Sequence, residues 1–445
     1  MALTLGQKAG WGLADMGIVV FVVVKQLLVL VFLTSVMGVP VGIAGFVTTV
    51  VLIFDIITDP LVGHFSDRTK SRCGRRAPWM AIGAVMAAGM VALFAVPDGL
   101  PLIGDLAWVI AFFGVATIGF TMVAIPFGAQ AGEMTQDPRE RSAMTGWRMG
   151  FASIGILVGG AVVPGLAASM GYAMAALVVS PLIIGAIWFS LFATRNAPRL
   201  TQTKPVALKD AYALVFQNRA FMVLVAIYGI MTLAIALITA GLPFAALYLI
   251  KDAGDTMLSG AAAALTTLSL MFAAFVVGSI LSQAVWVKVS NVLGKLVALQ
   301  LGLVLYMALL GGLYAVLPSE NVTIVAGMFV LAGFCNGAYQ QIPWAMYPDH
   351  MDVTRAQSGA AIEGAFSAVW LFGQKLANAL APAVLGGVLA AVGWQETTVG
   401  IVTQLPGAIT MLHISITLIP AAILLVSLLA LGLVYRPLAK TALGK

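Results

Sequence analysis

Long apolar runs separated by short polar loops dominate the chain. Runs able to cross about 30 Å of hydrocarbon at ~1.5 Å per residue fall near 11–37, 41–63, 79–97, 102–134, 143–168 and 172–193. Six more follow near 220–250, 259–287, 296–317, 322–347, 359–392 and 408–434. The pattern predicts an all-α polytopic membrane protein of about twelve transmembrane helices in two six-helix halves, 1–194 and 220–445. A cytoplasmic linker over 195–219 joins them. The first run has no small-residue cleavage signature, so it reads as a retained spanning helix rather than a signal peptide.

Composition narrows the class. The 445 residues are 61% hydrophobic and 9% charged, against roughly 25% charged in soluble domains, which excludes secreted domains, coiled coils, nucleic-acid binders and peripheral enzymes. The net charge of +6 reflects where Lys and Arg sit. With both termini cytoplasmic, the inside loops hold Arg68, Lys70, Arg72, Arg75, Arg76, Arg139 and Arg141 among others, and the outside loops hold Lys251 alone; the positive-inside rule fixes that orientation. Cys73 and Cys335 lie far apart, and His64, His350 and His413 form no cluster with them, so no disulfide framework, metal centre or other cofactor is expected.

The chain repeats itself. Gly119-Phe120, Ile125-Pro126-Phe127, Glu133, Asp137 and Arg141 are echoed by Gly333-Phe334, Ile342-Pro343-Trp344, Asp349, Asp352 and Arg355. Gly74-Arg75-Arg76 is echoed more weakly by Gly294-Lys295. Two parallel six-helix repeats are an architecture in which transport by alternating access operates.

Charges inside spans mark solute or ion pathways by default. Asp55 and Asp59, at i and i+4, differ by about 40° around the second helix and share a face, with Thr58 beside them. Their oxygens suit a monovalent cation or a shared proton. Two other readings of the pair are a structural cluster closing a cytoplasmic gate, where Asp67 and Arg68 fit better, and a magnesium-pyrophosphate site of a polytopic prenyltransferase. Lys25, Arg148 and Lys375 are the intramembrane cations, with Glu363 a possible counter-charge; Gln26, Gln341 and Trp344 add polar or stacking groups.

The motifs Asp59-Pro60-Leu61-Val62-Gly63, Asp67-Arg68-Thr69-Lys70-Ser71-Arg72 and Gly74-Arg75-Arg76-Ala77-Pro78-Trp79 carry a resemblance over nearly the whole chain. The sequence resembles the glycoside-pentoside-hexuronide cation symporters, the melibiose permease group of the major facilitator superfamily. The resemblance implies cation-binding roles, for sodium, lithium or a proton, at Asp55, Thr58, Asp59 and Thr121. Gating roles are expected at Asp67, Arg68, Arg141 and Glu363. Thr58 stands where the melibiose permease has an asparagine, which leaves sodium and proton coupling both open.

The sugar site departs further. Ile18-Val19 replace a Lys-Asp pair, and Ala124 and Gly128 replace an aspartate and a tryptophan. Arg148, after a one-residue slip, and Lys375 match basic residues of the family site, and Lys25 lies on the face of Ile18 about two turns further along, so the expected cavity is net positive, lined also by Gln26, Gln341 and Trp344. The expected substrate is a glycoside-like or anionic organic solute such as a hexuronide, and the apolar replacements also admit an anionic amphipath such as a lysophospholipid. The expected partners are that solute and the lipid bilayer, with no nucleic acid. The expected protein is a monomer in a bacterial inner membrane.

Overall fold

The structure is a computed structural model describing residues 3–71, 73–99, 101–135, 138–198, 208–358, 362–398 and 401–443. Twelve helices among them are long and apolar enough to cross a membrane. The first part runs α1 (Leu5–Ser35), α2 (Val41–Arg68), α3 (Ala77–Ala87), α4 (Gly89–Phe94), α5 (Leu102–Met134), α6 (Pro138–Leu157), α7 (Val163–Met170) and α8 (Tyr172–Thr194). The rest runs α9 (Leu208–Gln217), α10 (Arg219–Tyr248), α11 (Ser259–Leu265), α12 (Thr267–Leu293), α13 (Lys295–Val316), α14 (Val322–Ser358), α15 (Glu363–Ala391), α16 (Pro406–Ile416), α17 (Leu418–Ala430) and α18 (Arg436–Leu443).

Several expected spans are divided. A π-helical turn over Val158–Val162 joins α6 to α7, and another over Leu431–Tyr435 joins α17 to α18. The run expected over 259–287 breaks at Thr266, whose φ of 76° lies in the left-handed region that β-branched residues rarely enter. The spanning part of that run is therefore Thr267–Leu293. The fourth span of the second half continues past Pro343 and Pro348 to Ser358, some ten residues beyond the expected 347.

The chain forms two units, Met1–Gln202 with 264–269 and 396–401, and the remainder. In the first unit, α1 lies against α6 with little side chain between them. A Cβ added at Gly12 would meet the Arg148 backbone nitrogen at 2.7 Å, and one at Gly155 the Met16 carbonyl at 2.6 Å. Small residues let the two backbones approach where van der Waals contact drives association. The same closeness lets a short side chain on α1 reach a long one on α6.

The start of α1 is pinned. Thr4 and Gln7 form a reciprocal capping box. Glu140, in the first turn of α6 outside the membrane span, accepts from Thr135 Oγ1 at 2.7 Å and from the Leu3 backbone N–H at 2.7 Å, with Lys8 Nζ at 3.3 Å. The Thr135 and Leu3 hydrogen bonds, with Lys8 beside them, hold its carboxyl below the usual range. At the other end of the unit, Glu396 Oε1 accepts from the Val41 N–H at 2.8 Å and caps α2.

In the second unit, Lys295 donates to both carboxylate oxygens of Asp349 at 2.8 Å and to the Ala345 carbonyl at 2.7 Å. Two pieces of the sequence echo are thereby joined. Asp352 pairs separately with Arg355 at 3.2 Å.

Candidate functional site

The one-turn spacing of Asp55 and Asp59 on α2 directs both carboxylates to α5, where Thr121 stands between them. Thr121 Oγ1 lies 2.5 Å from Asp55 Oδ1 and 3.3 Å from Asp59 Oδ1. Thr121 is fully buried and Asp55 nearly so. Three of the four residues expected to hold a cation therefore meet. Thr58 is oriented differently: its hydroxyl donates to the Asp55 backbone carbonyl at 2.9 Å, one turn back along its own helix.

A fourth group joins from α1. Lys25 Nζ lies 3.7 Å from Asp55 Oδ2, with both side chains buried. Two rings flank the ammonium, Phe120 at 4.6 Å and Phe21 at 5.5 Å to their centroids. At an effective dielectric near 20 the attraction at this distance is roughly 4 kcal/mol, comparable with the ~3 kcal/mol that a lysine at a helix centre costs on insertion scales. Lys25 is held at Asp55, although the sequence places it among the substrate contacts.

Arg148 likewise has an acidic neighbour. Its Nε donates to Asp15 Oδ2 at 2.9 Å and its Nη2 to Oδ1 at 3.4 Å, a two-point pair between α6 and α1. Asp15 is buried, while the Arg148 side chain remains 38% accessible. The guanidinium also lies over Phe127, which stacks on Trp11 at 4.6 Å. Asp15 is the functional candidate that the sequence reading missed. It lies one turn before Val19, so a carboxylate lost at 19 reappears on the same face at 15.

Thr121, Ala124 and Gly128 fall on one stripe of α5, at i, i+3 and i+7. A Cβ added at Gly128 would meet nothing within 4 Å, so that end of the stripe faces open space. With Asp15 on Arg148 and Asp55 on Lys25, each of these two intramembrane cations has an acidic partner. Gln26 is half-buried on α1, one residue past Lys25.

The second unit contributes an aromatic group on α10, α14 and α15. Tyr228 stacks on Trp370 at 4.2 Å with an 8° interplanar angle, and its hydroxyl accepts from Trp344 Nε1 at 2.9 Å. Tyr339 shares a hydrogen bond with Thr232 at 2.9 Å. Trp344 is partly exposed, Gln341 has a buried side-chain oxygen without a hydrogen-bond partner, and Lys375 is half-buried on α15. The side chains of the four expected gating residues, Asp67, Arg68, Arg141 and Glu363, lie outside those described, as does all of Asp137.

The profile of the family described as MFS/sugar transport protein matches residues 10–436. Among curated proteins, the chain is 26% identical over 409 residues to the "Putative glycoside/cation symporter YagG" of Escherichia coli (strain K12), covering 89% of this chain and 85% of that one. It is 26% identical over 413 residues to the inner membrane symporter YicJ of the same organism, covering 88% and 84%. Among solved structures, a mutant of the nucleoside transporter NupG superposes with a TM-score of 0.66 at 14% identity, covering 96% of this chain and 99% of that one. These relatives are transporters rather than enzymes, which displaces the prenyltransferase reading of the aspartate pair.

Proposed function

Since the chain belongs to the MFS/sugar transport protein family, and so is an integral membrane secondary transporter, we propose that it is a cation-coupled symporter of a glycoside-like solute. It works by alternating access in a bacterial inner membrane, with both termini cytoplasmic. The observation that carries the coupling is the Thr121-bridged carboxylate pair between α2 and α5, with Asp55 buried and Asp59 half-buried. Two carboxylates in a low-dielectric site are unfavourable unless cations neutralise them, so occupancy of the site and movement through the membrane are linked. Names given to relatives, such as glycoside/cation symporter, support both the coupling and the solute class.

For the solute, the Asp15–Arg148 pair supplies an acceptor and a donor side by side, a chemistry suited to vicinal hydroxyls. The small residues Ala124 and Gly128 give room beside it. The second unit, taken by itself, presents a partly exposed Trp344 and the polar groups of Gln341 and Lys375 on α14 and α15. Because Arg148 is balanced by Asp15, the site favours hydroxyl recognition over capture of a free anion; a hexuronide would have to compete with Asp15 for the guanidinium. One cotransported monovalent cation draws about 2.3 kcal/mol per 100 mV, nearly fiftyfold accumulation for a neutral solute.

The test is uptake into cells expressing the chain, using a neutral glycoside and the matching glucuronide under imposed sodium or proton gradients. Asp59→Asn should abolish concentrative uptake while leaving downhill exchange measurable. Undiminished accumulation by that variant removes the aspartate pair from the mechanism.

A further inference from the structure

We propose that the first unit carries a binding site for an anionic glycerophospholipid where α3, α5 and α8 reach the membrane surface, with Arg75, Arg76 and Arg195 holding the phosphate. The site is separate from the carboxylate pair, and the inference is independent of the coupling reading.

A cavity of about 850 Å³ lies between the α2–α3 turn, the start of α3, the end of α5 and the end of α8. Its walls coincide with three span ends: the spanning segment Ala77–Phe94 begins there, and Leu102–Gln130 and Tyr172–Thr194 finish there. A pocket at that level opens at the boundary between hydrocarbon and water, the depth of phospholipid headgroups. In the proposed orientation this is the cytoplasmic boundary, where basic pockets between spanning helices suit anionic headgroups.

The lining divides by chemistry. Among the described residues of the wall, three are arginines, Arg75, Arg76 and Arg195, and none is acidic. The turn that presents the first two is shaped by Gly74, whose φ of 91° is left-handed and whose N–H donates to the Ser71 carbonyl at 3.0 Å. Arg76 Nη1 donates to the Oγ of buried Ser66 at 3.0 Å, and the Arg195 guanidinium lies 4.3 Å from the Phe192 ring centroid. A guanidinium has five N–H donors in a planar fork, so one already fixed by a protein contact can still bind a pair of phosphate oxygens.

Beyond the arginines the wall is apolar, with Pro78, Ala81, Met134 and Leu191. Trp188 Nε1 donates to the Ala81 carbonyl at 3.1 Å and ties α8 to α3 at this point. Exposed apolar side chains follow on both helices, Ile82 and Val85 on α3 and Trp188 and Phe192 on α8. A small soluble anion would use the arginines and leave this surface bare, whereas a lipid uses both. A zwitterionic headgroup would bring an ammonium up to three guanidiniums, so a headgroup of net negative charge fits.

The experiment is native mass spectrometry of the purified full-length protein in detergent, with phosphatidylglycerol or phosphatidylethanolamine of identical acyl chains at equal mole fraction, and thermal unfolding in the same mixtures. The wild-type protein should bind phosphatidylglycerol about tenfold more tightly than phosphatidylethanolamine and melt at a higher temperature with it. The double variant Arg75→Gln with Arg195→Gln should lose most of that preference, to about twofold or less, since each basic group near an anionic lipid contributes roughly fivefold. Lys209→Gln with Arg219→Gln, in the second unit, should keep it. Equal binding of the two lipids by the wild-type protein, or a preference kept in full by the Arg75 and Arg195 double variant, overturns the proposal. The wild-type comparison alone suffices if a variant fails to fold. Inorganic phosphate at constant ionic strength should leave the unfolding temperature unchanged; a rise equal to that with phosphatidylglycerol overturns the lipid assignment in favour of a soluble anion.

Discussion

Replacing Asp15 with Asn keeps the shape of the side chain and leaves the Arg148 guanidinium against a neutral amide. Removing one partner of a fully buried ion pair costs about 3–5 kcal/mol, because the remaining charge is left uncompensated. Asp15 is buried but the Arg148 side chain is 38% accessible, so water can solvate part of the orphaned charge, and a loss of about 2 kcal/mol is the better expectation. For a unit of this size that corresponds to a fall of ~4–8 °C in unfolding temperature. The double variant Asp15→Asn with Arg148→Gln removes both charges and should fall by less than the sum of the single variants, with a coupling of at least ~1 kcal/mol. The assay is tryptophan fluorescence during heating in detergent at one fixed scan rate, since unfolding of such proteins is commonly irreversible. If Asp15→Asn melts within about 1 °C of the wild-type protein, or the double variant equals the sum of the singles, the pair contributes nothing and the solute site built on it loses its acceptor.

Two further outcomes follow from geometry outside that pair. Glu140, with its carboxyl lowered by the Thr135 and Leu3 hydrogen bonds and by Lys8, contributes stability that is complete above the ordinary glutamate range and fades as pH falls through its depressed folded value; Glu140→Gln should therefore flatten the loss of unfolding temperature below about pH 4.5, and identical acid profiles would refute this. Gly155→Ala would place a methyl 2.6 Å from the Met16 carbonyl and should destabilise by about 1–3 kcal/mol, read as lower unfolding temperature and lower yield, whereas Gly128→Ala meets open space and should melt like the wild-type protein.

The helices were legible because hydrophobic runs of spanning length have few alternative uses, and charge placement in the loops suggested an orientation. The aspartate pair was legible for a related reason: two carboxylates one turn apart in an apolar run are costly enough to stand out. What escaped notice was less periodic. Asp15 lies one turn before position 19, where the resemblance puts a carboxylate, and a shift of one turn keeps a side chain on the same face. The partners of Lys25 and Arg148 depend on how closely α1 approaches α2 and α6, a tertiary distance set by glycines such as Gly12 and Gly155. The break at Thr266 carries no glycine or proline, so local chemistry gave no sign of it.

The two ion pairs of α1 also bear on how the protein is made. Asp15 and Lys25 enter the membrane with the first helix, before either partner exists. Asp55 follows 30 residues after Lys25, whereas Arg148 is 133 residues from Asp15. At about 5–20 residues per second, Arg148 is synthesised roughly 7–27 s after Asp15. For that interval the nascent chain carries an acidic residue near the start of its first span without its counter-charge, at a penalty below the ~2.5–3.5 kcal/mol of a helix centre. Ribosome stalling or truncation anywhere between α2 and α6 would freeze the chain in this state. The exposed Asp15 would then distinguish an unfinished molecule from a finished one to the membrane's quality-control proteases.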